Sequence, residues 1–230
     1  GSPLSDFQDL NYTSTAAGVR QIDSWHYRQR ILSFFGRVNY DYKSKYLLSL
    51  VLRRDGYSKL PKDNRWGTFP GISAGWVLSR ENFMESCSNV LSYAKIRASY
   101  GANGNVSGVL DANGNVVTGL DYYTVQGSYG IMKDKDGKIV PNYNGKVPLM
   151  INDLPNPTMR WEKSYTFETG FDIGFLNNKY ILNFTYYNRH TQDKFAEITL
   201  PSHSGVSSFL SNNGEVQNQG MELELTANVL

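Results

Sequence analysis

The chain has 230 residues, enough for one large domain or two small ones. Hydrophobic residues at 40% and charged residues at 19% exclude a disordered, strongly solvated chain. Net charge is +2 with basic and acidic residues interleaved, which leaves no phosphate-tracking patch and no expectation of a nucleic-acid partner.

Sixteen tyrosines and twenty-one glycines favour many strands joined by turns over helices. The single cysteine, Cys87, excludes an intramolecular disulfide and a zinc knuckle. Mean hydropathy is −0.44, and no apolar run nears the roughly 18 residues of a membrane-spanning helix. A barrel strand, however, buries only alternate residues in lipid and leaves a much weaker hydropathy signal.

In chain order, residues 1–30 carry no periodic pattern and read as a surface loop. Leu32–Tyr42 alternates: Leu32, Phe34, Gly36, Val38, Tyr40 and Tyr42 share one face, with Ser33, Phe35, Arg37, Asn39 and Asp41 on the other. A break at Lys43-Ser44-Lys45 is short enough for a hairpin. Tyr46, Leu48, Leu50 and Leu52 then oppose Ser49, Arg53 and Asp55. Ile72, Ala74, Trp76 and Leu78 oppose Ser73, Gly75 and Ser79; a helical turn is expected over Glu81–Leu91. Ile96, Ala98 and Tyr100 oppose Lys95, Arg97 and Ser99.

Tyr165, Phe167, Phe171 and Ile173 oppose Thr166, Glu168, Gly170 and Asp172, and the chain turns through Phe175-Leu176-Asn177-Asn178-Lys179. Tyr180, Leu182, Phe184 and Tyr186 oppose Asn183, Thr185 and Arg189. Met221, Leu223, Leu225, Ala227 and Val229 close the series opposite Glu222, Glu224, Thr226 and Asn228. The expectation is an all-β, antiparallel meander of about seven strands.

A soluble sandwich also alternates. The connections favour a membrane wall: short turns at 43–45 and 175–179 alternate with long excursions at 56–65, 102–160 and 193–218. Tyr40, Tyr42, Tyr46 and Tyr180 gather at the short-turn ends, where an interfacial girdle belongs.

The run Phe35-Gly36-Arg37-Val38-Asn39-Tyr40-Asp41-Tyr42, followed by Lys45-Tyr46-Leu47-Leu48-Ser49, resembles a signature of SusC/RagA-type TonB-dependent outer-membrane transporters. Leu52–Gly56, Arg65–Pro70, Ser73–Trp76 and Lys95–Gly101 continue the resemblance in order. So do Asn156-Pro157, Trp161-Glu162-Lys163, Gly170-Phe171-Asp172 and Asn218–Glu222. The resemblance implies that 31–230 is the C-terminal part of a large transmembrane β-barrel of about 22 strands, in the bacterial outer membrane, with 102–160 and 193–218 as long extracellular loops. It implies import of oligosaccharides or peptides with a SusD-like surface lipoprotein, driven by the TonB complex through a plug that this chain does not include. With two open edges and an apolar outer face, the chain alone is expected to aggregate, pair with other chains or depend on a larger assembly.

No enzyme, cofactor or metal is expected. Glu222 and Glu224 share a strand face as glycosidase carboxylates might, but they also fit lumen acids, hydrated or paired with Arg97 or Arg189. His26, His190 and His203 lack ligand spacing and read as loop or rim residues. Asp111–Asn115 and Asp134–Gly137 hint at calcium loops without the EF-hand pattern, and favour two small hairpins within 102–160. Functional weight falls on loop aromatics: Tyr122, Tyr123, Tyr129, Tyr143 and Trp161, beside Asn103, Asn142 and Asn144, are the expected substrate-binding region. A soluble carbohydrate-binding β-sandwich would use loop aromatics in the same way, and is the alternative.

Overall fold

The computed structural model describes residues 28–87, 89–110, 116–118, 120, 124–132, 135 and 149–228. Ile31–Leu230 forms one compact unit, distinct from Gly1–Arg30. Residues 1–27, with His26 and most of the expected surface loop, lie outside the described residues.

The unit is built on one antiparallel sheet of seven strands. These are β1 (Ile31–Tyr42), β2 (Tyr46–Tyr57), β3 (Trp66–Val77) and β4 (Leu91–Asn105), then β9 (Glu162–Phe175), β10 (Tyr180–Thr199) and β11 (Ser208–Ala227), in that spatial order. Between β4 and β9 the chain makes two minor pairings: β5 (Val109–Leu110) with β6 (Val116–Thr118), and β7 (Ser128–Ile131) with β8 (Leu149–Asp153). The first brackets the expected hairpin at Asp111–Asn115, whose own residues lie outside those described. The second brackets Asp134–Gly137, of which only Lys135 is described.

Register turns alternation into rungs that cross the sheet. Tyr42, Tyr46, Trp76, Ile96, Phe171, Phe184 and Leu223 form one rung through all seven strands. Val38, Leu50, Ile72, Tyr100 and Phe167 form another. Most of these side chains are bare, Val38 at 65% exposed and Leu223 at 70%, while Phe171 and Phe184 stack on each other and are half-buried. A sandwich would bury this face under a second sheet; a membrane wall leaves it for lipid. From Trp66 to Trp76, at about 3.4 Å per residue and a tilt of about 40°, β3 climbs about 26 Å, close to the apolar band of roughly 25 Å on outer-membrane barrels.

The two ends differ, as the connection lengths predict. At one end Lys43 and Ser44 take left-handed φ of 54° and 51°, and Asp41 Oδ1 accepts the Ser44 N–H at 2.6 Å. The 176–179 turn uses Leu176, Asn177 and Asn178 at φ 50°, 56° and 60°. The longer link there is two 3₁₀ turns, Leu78–Arg80 and Asn82–Cys87, so the helical turn starts earlier than expected and Leu91 already belongs to β4. Glu81 ties that link to the sheet by accepting from Trp76 Nε1 and Lys45 Nζ, both at 3.1 Å. Tyr46 stacks between Tyr42 and Trp76, with ring centroids 6.3 Å apart on both sides, so two of the four tyrosines expected in a girdle share one aromatic stack at the short-turn end.

At the other end the sheet continues further than alternation suggests. Residues 193–199 and 208–218, expected within a loop, are strand in β10 and β11, and only 200–207 connects them. Apolar residues fall on both faces there, Phe195 and Leu210 on one and Ile198 and Phe209 on the other, each mixed with polar ones, so no clean period appears in the sequence, while main-chain pairing runs on from Phe195↔Asn212 to Thr199↔Ser208. These strands have 20 residues each, against about 10 needed to cross a bilayer. Their outer halves therefore stand beyond the lipid band. Here also lies the buried cluster: Tyr57, Leu60, Phe69, Leu120, Met159, Trp161 and Phe195.

Candidate functional site

The face opposite the apolar rungs is polar and cross-linked. Arg97 on β4 donates through Nη2 to Thr185 Oγ1 on β10 at 2.6 Å and through Nε to Asp172 Oδ1 on β9 at 3.4 Å. One guanidinium thus spans three strands, which its planar fork permits. Arg189 Nε donates to Thr166 Oγ1 at 3.3 Å. Asn39, Ser49, Ser73, Lys95, Arg97 and Glu168 line a hollow of about 520 Å³. A second hollow of about 270 Å³ shares Ser49, Ser73 and Glu168 and adds Arg37, Asn103 and Arg189. Hydroxyls, amides and both signs of charge on one wall can hydrogen-bond a passing polar solute or a domain seated against it.

Glu222 and Glu224 stand exposed on β11, in register with Thr185 and Asn183. Glu224 accepts from Asn183 Nδ2 at 3.4 Å, so Asn183 lies on the polar face as expected. Neither glutamate pairs with Arg97 or Arg189, which bond Asp172 and Thr185, and Thr166, respectively. His190 bonds Glu215 and is half-buried on β10; His203 is exposed at the tip of the β10–β11 hairpin. Among the described residues no cluster of His, Cys, Asp and Glu assembles a metal site.

Of the expected substrate-binding aromatics, Tyr122, Tyr123 and Tyr143 lie outside the described residues. Tyr129, on β7, is 72% exposed and offers its ring to solvent. Trp161, expected at the rim, is instead 6% exposed. Its ring meets Phe69 edge-on at 5.5 Å and Tyr57 at 6.3 Å, and its Nε1 donates to the Arg65 carbonyl at 3.0 Å. A ring covered in this way cannot stack on a ligand. Its hydrophobic area is spent fastening the excursion to the sheet.

Neighbouring residues complete that fastening. Glu162, 2% exposed, accepts the Phe195 N–H and the Asn105 amide, each at 2.7 Å, and so joins β9 to β10 and β4. Buried Asn156 donates to the Leu210 carbonyl at 2.8 Å and accepts from the Thr158 N–H at 3.0 Å. Arg160 donates to Asp193 Oδ1 at 2.6 Å, and that hydrogen bond lifts the guanidinium further above its ordinary pKa. Asn212 bridges the same knot by donating to the Arg160 and Asp193 carbonyls. Asp193 takes a left-handed φ of 56° at the β10 bulge. Asn156-Pro157 and Trp161-Glu162-Lys163 carry the family resemblance. Their role as the root of the loops depends on contacts with residues some 30–50 positions away, and no local pattern records those.

The geometry agrees with the comparisons. A family model described as the β-barrel of TonB-dependent receptor-like proteins matches residues 2–229. TonB-dependent receptor P3 of Formosa agariphila is 33% identical over 221 residues, which is 95% of this chain and 20% of that protein. TonB-dependent receptor SusC of Bacteroides thetaiotaomicron is 32% identical over 212 residues, 92% of this chain and 20% of that protein. Among solved structures, the RagAB peptide importer in its closed-closed state superposes with a TM-score of 0.70 at 26% identity, over 87% of this chain and 20% of that one. The chain thus spans about a fifth of the length of the relatives it matches. A bare apolar face, a charged opposite face, turns short at one end and long at the other, and these relatives lead to one assignment: the chain belongs to the TonB-dependent receptor family, of SusC/RagA type, and forms part of its β-barrel.

Proposed function

We propose that this chain supplies wall, rim and loops to an outer-membrane importer that takes up oligosaccharides or peptides. The observation that carries the reading is the two-faced sheet. Seven strands present a largely apolar surface outward and Arg97, Asp172, Glu168 and Arg189 inward, as expected of a wall between lipid and a watery lumen. A SusD-like lipoprotein would cap the loop end and the TonB complex would act through a plug on the polar face. Tyr129, with Tyr122, Tyr123 and Tyr143, is the proposed ligand-facing region, and Trp161 holds that region's base. The soluble binding module is disfavoured because it would leave Val38, Leu50, Met221 and Leu223 in water.

The test is uptake by cells that express the natural full-length protein or a version lacking residues 106–160. Loss of uptake of labelled oligosaccharides or peptides, with the barrel still in the outer membrane, supports the reading. Unchanged uptake of every ligand class in cells lacking the protein entirely would overturn it.

A further inference from the structure

On the apolar face of β1–β4, Arg54 is the one charged side chain among the described residues. It sits at the loop end of the band, in register with Phe34 and Thr68. Its guanidinium lies 5.5 Å from the centre of the Trp66 ring, and Trp66 stacks on Phe34 at 6.2 Å and 23°. Gly56 makes this platform possible, since a Cβ there would come within 2.9 Å of the indole. Asp55, next in the chain, points to the other face and is taken by Arg53 at 2.7 Å. Among the described residues Arg54 therefore has an aromatic partner and no anionic one.

Directly below, towards the middle of the band, the face is hollowed. Gly36, Leu52 and Pro70 form one rung and Val38, Leu50 and Ile72 the next. A groove of about 520 Å³ opens there to the outside. The missing side chain at Gly36 is part of the reason: a Cβ at that position would touch nothing. The groove starts about 7 Å along the strand from Arg54, two residues at about 3.4 Å each. A cation over an aromatic ring at headgroup depth, above an apolar trough, matches the two chemistries of one lipid molecule.

We propose that Arg54, Trp66 and this groove form a site for a phosphate-bearing lipid of the loop-side leaflet. The phosphate sits on the Arg54 guanidinium and an acyl chain lies along Gly36, Leu52 and Ile72. The inference rests on the apolar face meeting lipid, and goes beyond it by naming a headgroup and a place. Charge complementarity and continuity with the lipid-facing band select this occupant over a second protein.

The test places the natural full-length protein in phosphatidylcholine nanodiscs doped with dioleoyl phosphatidic acid, and reads by native mass spectrometry which lipid is retained. The expected result is a preference for phosphatidic acid that falls about fivefold in Arg54→Ala, the effect of one basic residue at a lipid surface, and survives in Arg54→Lys. Gly36→Leu, which fills the groove, should lower retention of both lipids. Its folding is checked by the heat-dependent gel shift of the barrel. Displacement of phosphatidic acid by glycerol 3-phosphate would overturn the chain-binding half of the site. A protein that enters nanodiscs and keeps its full preference in Arg54→Ala would overturn this inference alone; failure to enter nanodiscs at all would overturn the lipid-facing reading with it.

Discussion

Replacing Glu162 by alanine removes two acceptors at the root of the loops. The Phe195 N–H would be left without a partner beside a side chain only 3% exposed, while Asn105 is exposed and can turn to water. An orphaned buried donor costs about 1–3 kcal/mol, and losing the second hydrogen bond adds about 1 kcal/mol, so the local penalty is roughly 2–4 kcal/mol. At 1.4 kcal/mol per tenfold, this is a population change of about 30- to 700-fold in favour of the open state. Hydrogen exchange at the Phe195 amide in the detergent-solubilised full-length protein reads that opening directly. Glu162→Gln keeps one oxygen for the Phe195 N–H, and Asn105 can flip to accept from the new amide, so its effect should stay below about tenfold. If Glu162→Ala left exchange at Phe195 unchanged, or if Gln were as damaging as Ala, the buried side chain would not be the fastening that its contacts indicate.

Perturbations at five further positions separate the loop base, the sheet, the 78–87 link and the loops. Gly104→Ala and Gly67→Ala each drive a methyl into the Phe69 ring, and should cost about 1–3 kcal/mol of stability at the loop base; Phe69→Leu in the Gly104→Ala background should recover part of it, read by protease resistance. Gly170→Ala would press its Cβ on the Phe184 carbonyl between β9 and β10, where backbone cannot yield, and should abolish the heat-dependent gel shift of the folded barrel. Glu81, hydrogen-bonded by Trp76, Tyr46 and Lys45, has its pKa held below the ordinary 4.5. Its contribution is therefore complete above that value and lost as pH falls through the lowered one; Trp76 fluorescence should report release of the 78–87 link in acid, and Glu81→Gln should remove the transition. Tyr129→Ala should weaken ligand capture while leaving barrel assembly unchanged, as measured by ligand binding to intact cells.

What the sequence discloses depends on which face each residue meets. Along Leu32–Tyr42 and Tyr46–Asp55 one side meets lipid and the other a polar lumen, so a period of two is written plainly and the strands follow it. At Trp66–Phe69 the inward residues are Gly67, which has no side chain, and Phe69, which enters the buried cluster, so the inward face is not polar and the start of β3 is obscured. In the outer halves of β10 and β11 each face mixes apolar and polar residues, so no period of two marks them, and main-chain pairing shows them as strands. Trp161 misleads for a related reason. An aromatic residue beside a long excursion serves equally as ligand platform or anchor, and its distant contacts with Phe69, Tyr57 and the Arg65 carbonyl decide for anchor. Arg54 gives no warning in one dimension, because the neighbouring Arg53 differs from it only in facing the other way.

The most direct test of the central claim is cysteine accessibility along β2 in whole outer membranes, in a Cys87→Ser background. Positions 48, 50 and 52 should react with a lipid-soluble maleimide and resist a charged one, while 49, 51 and 53 should do the opposite. A uniform response to the charged reagent at all six positions would contradict a sheet that divides lipid from lumen.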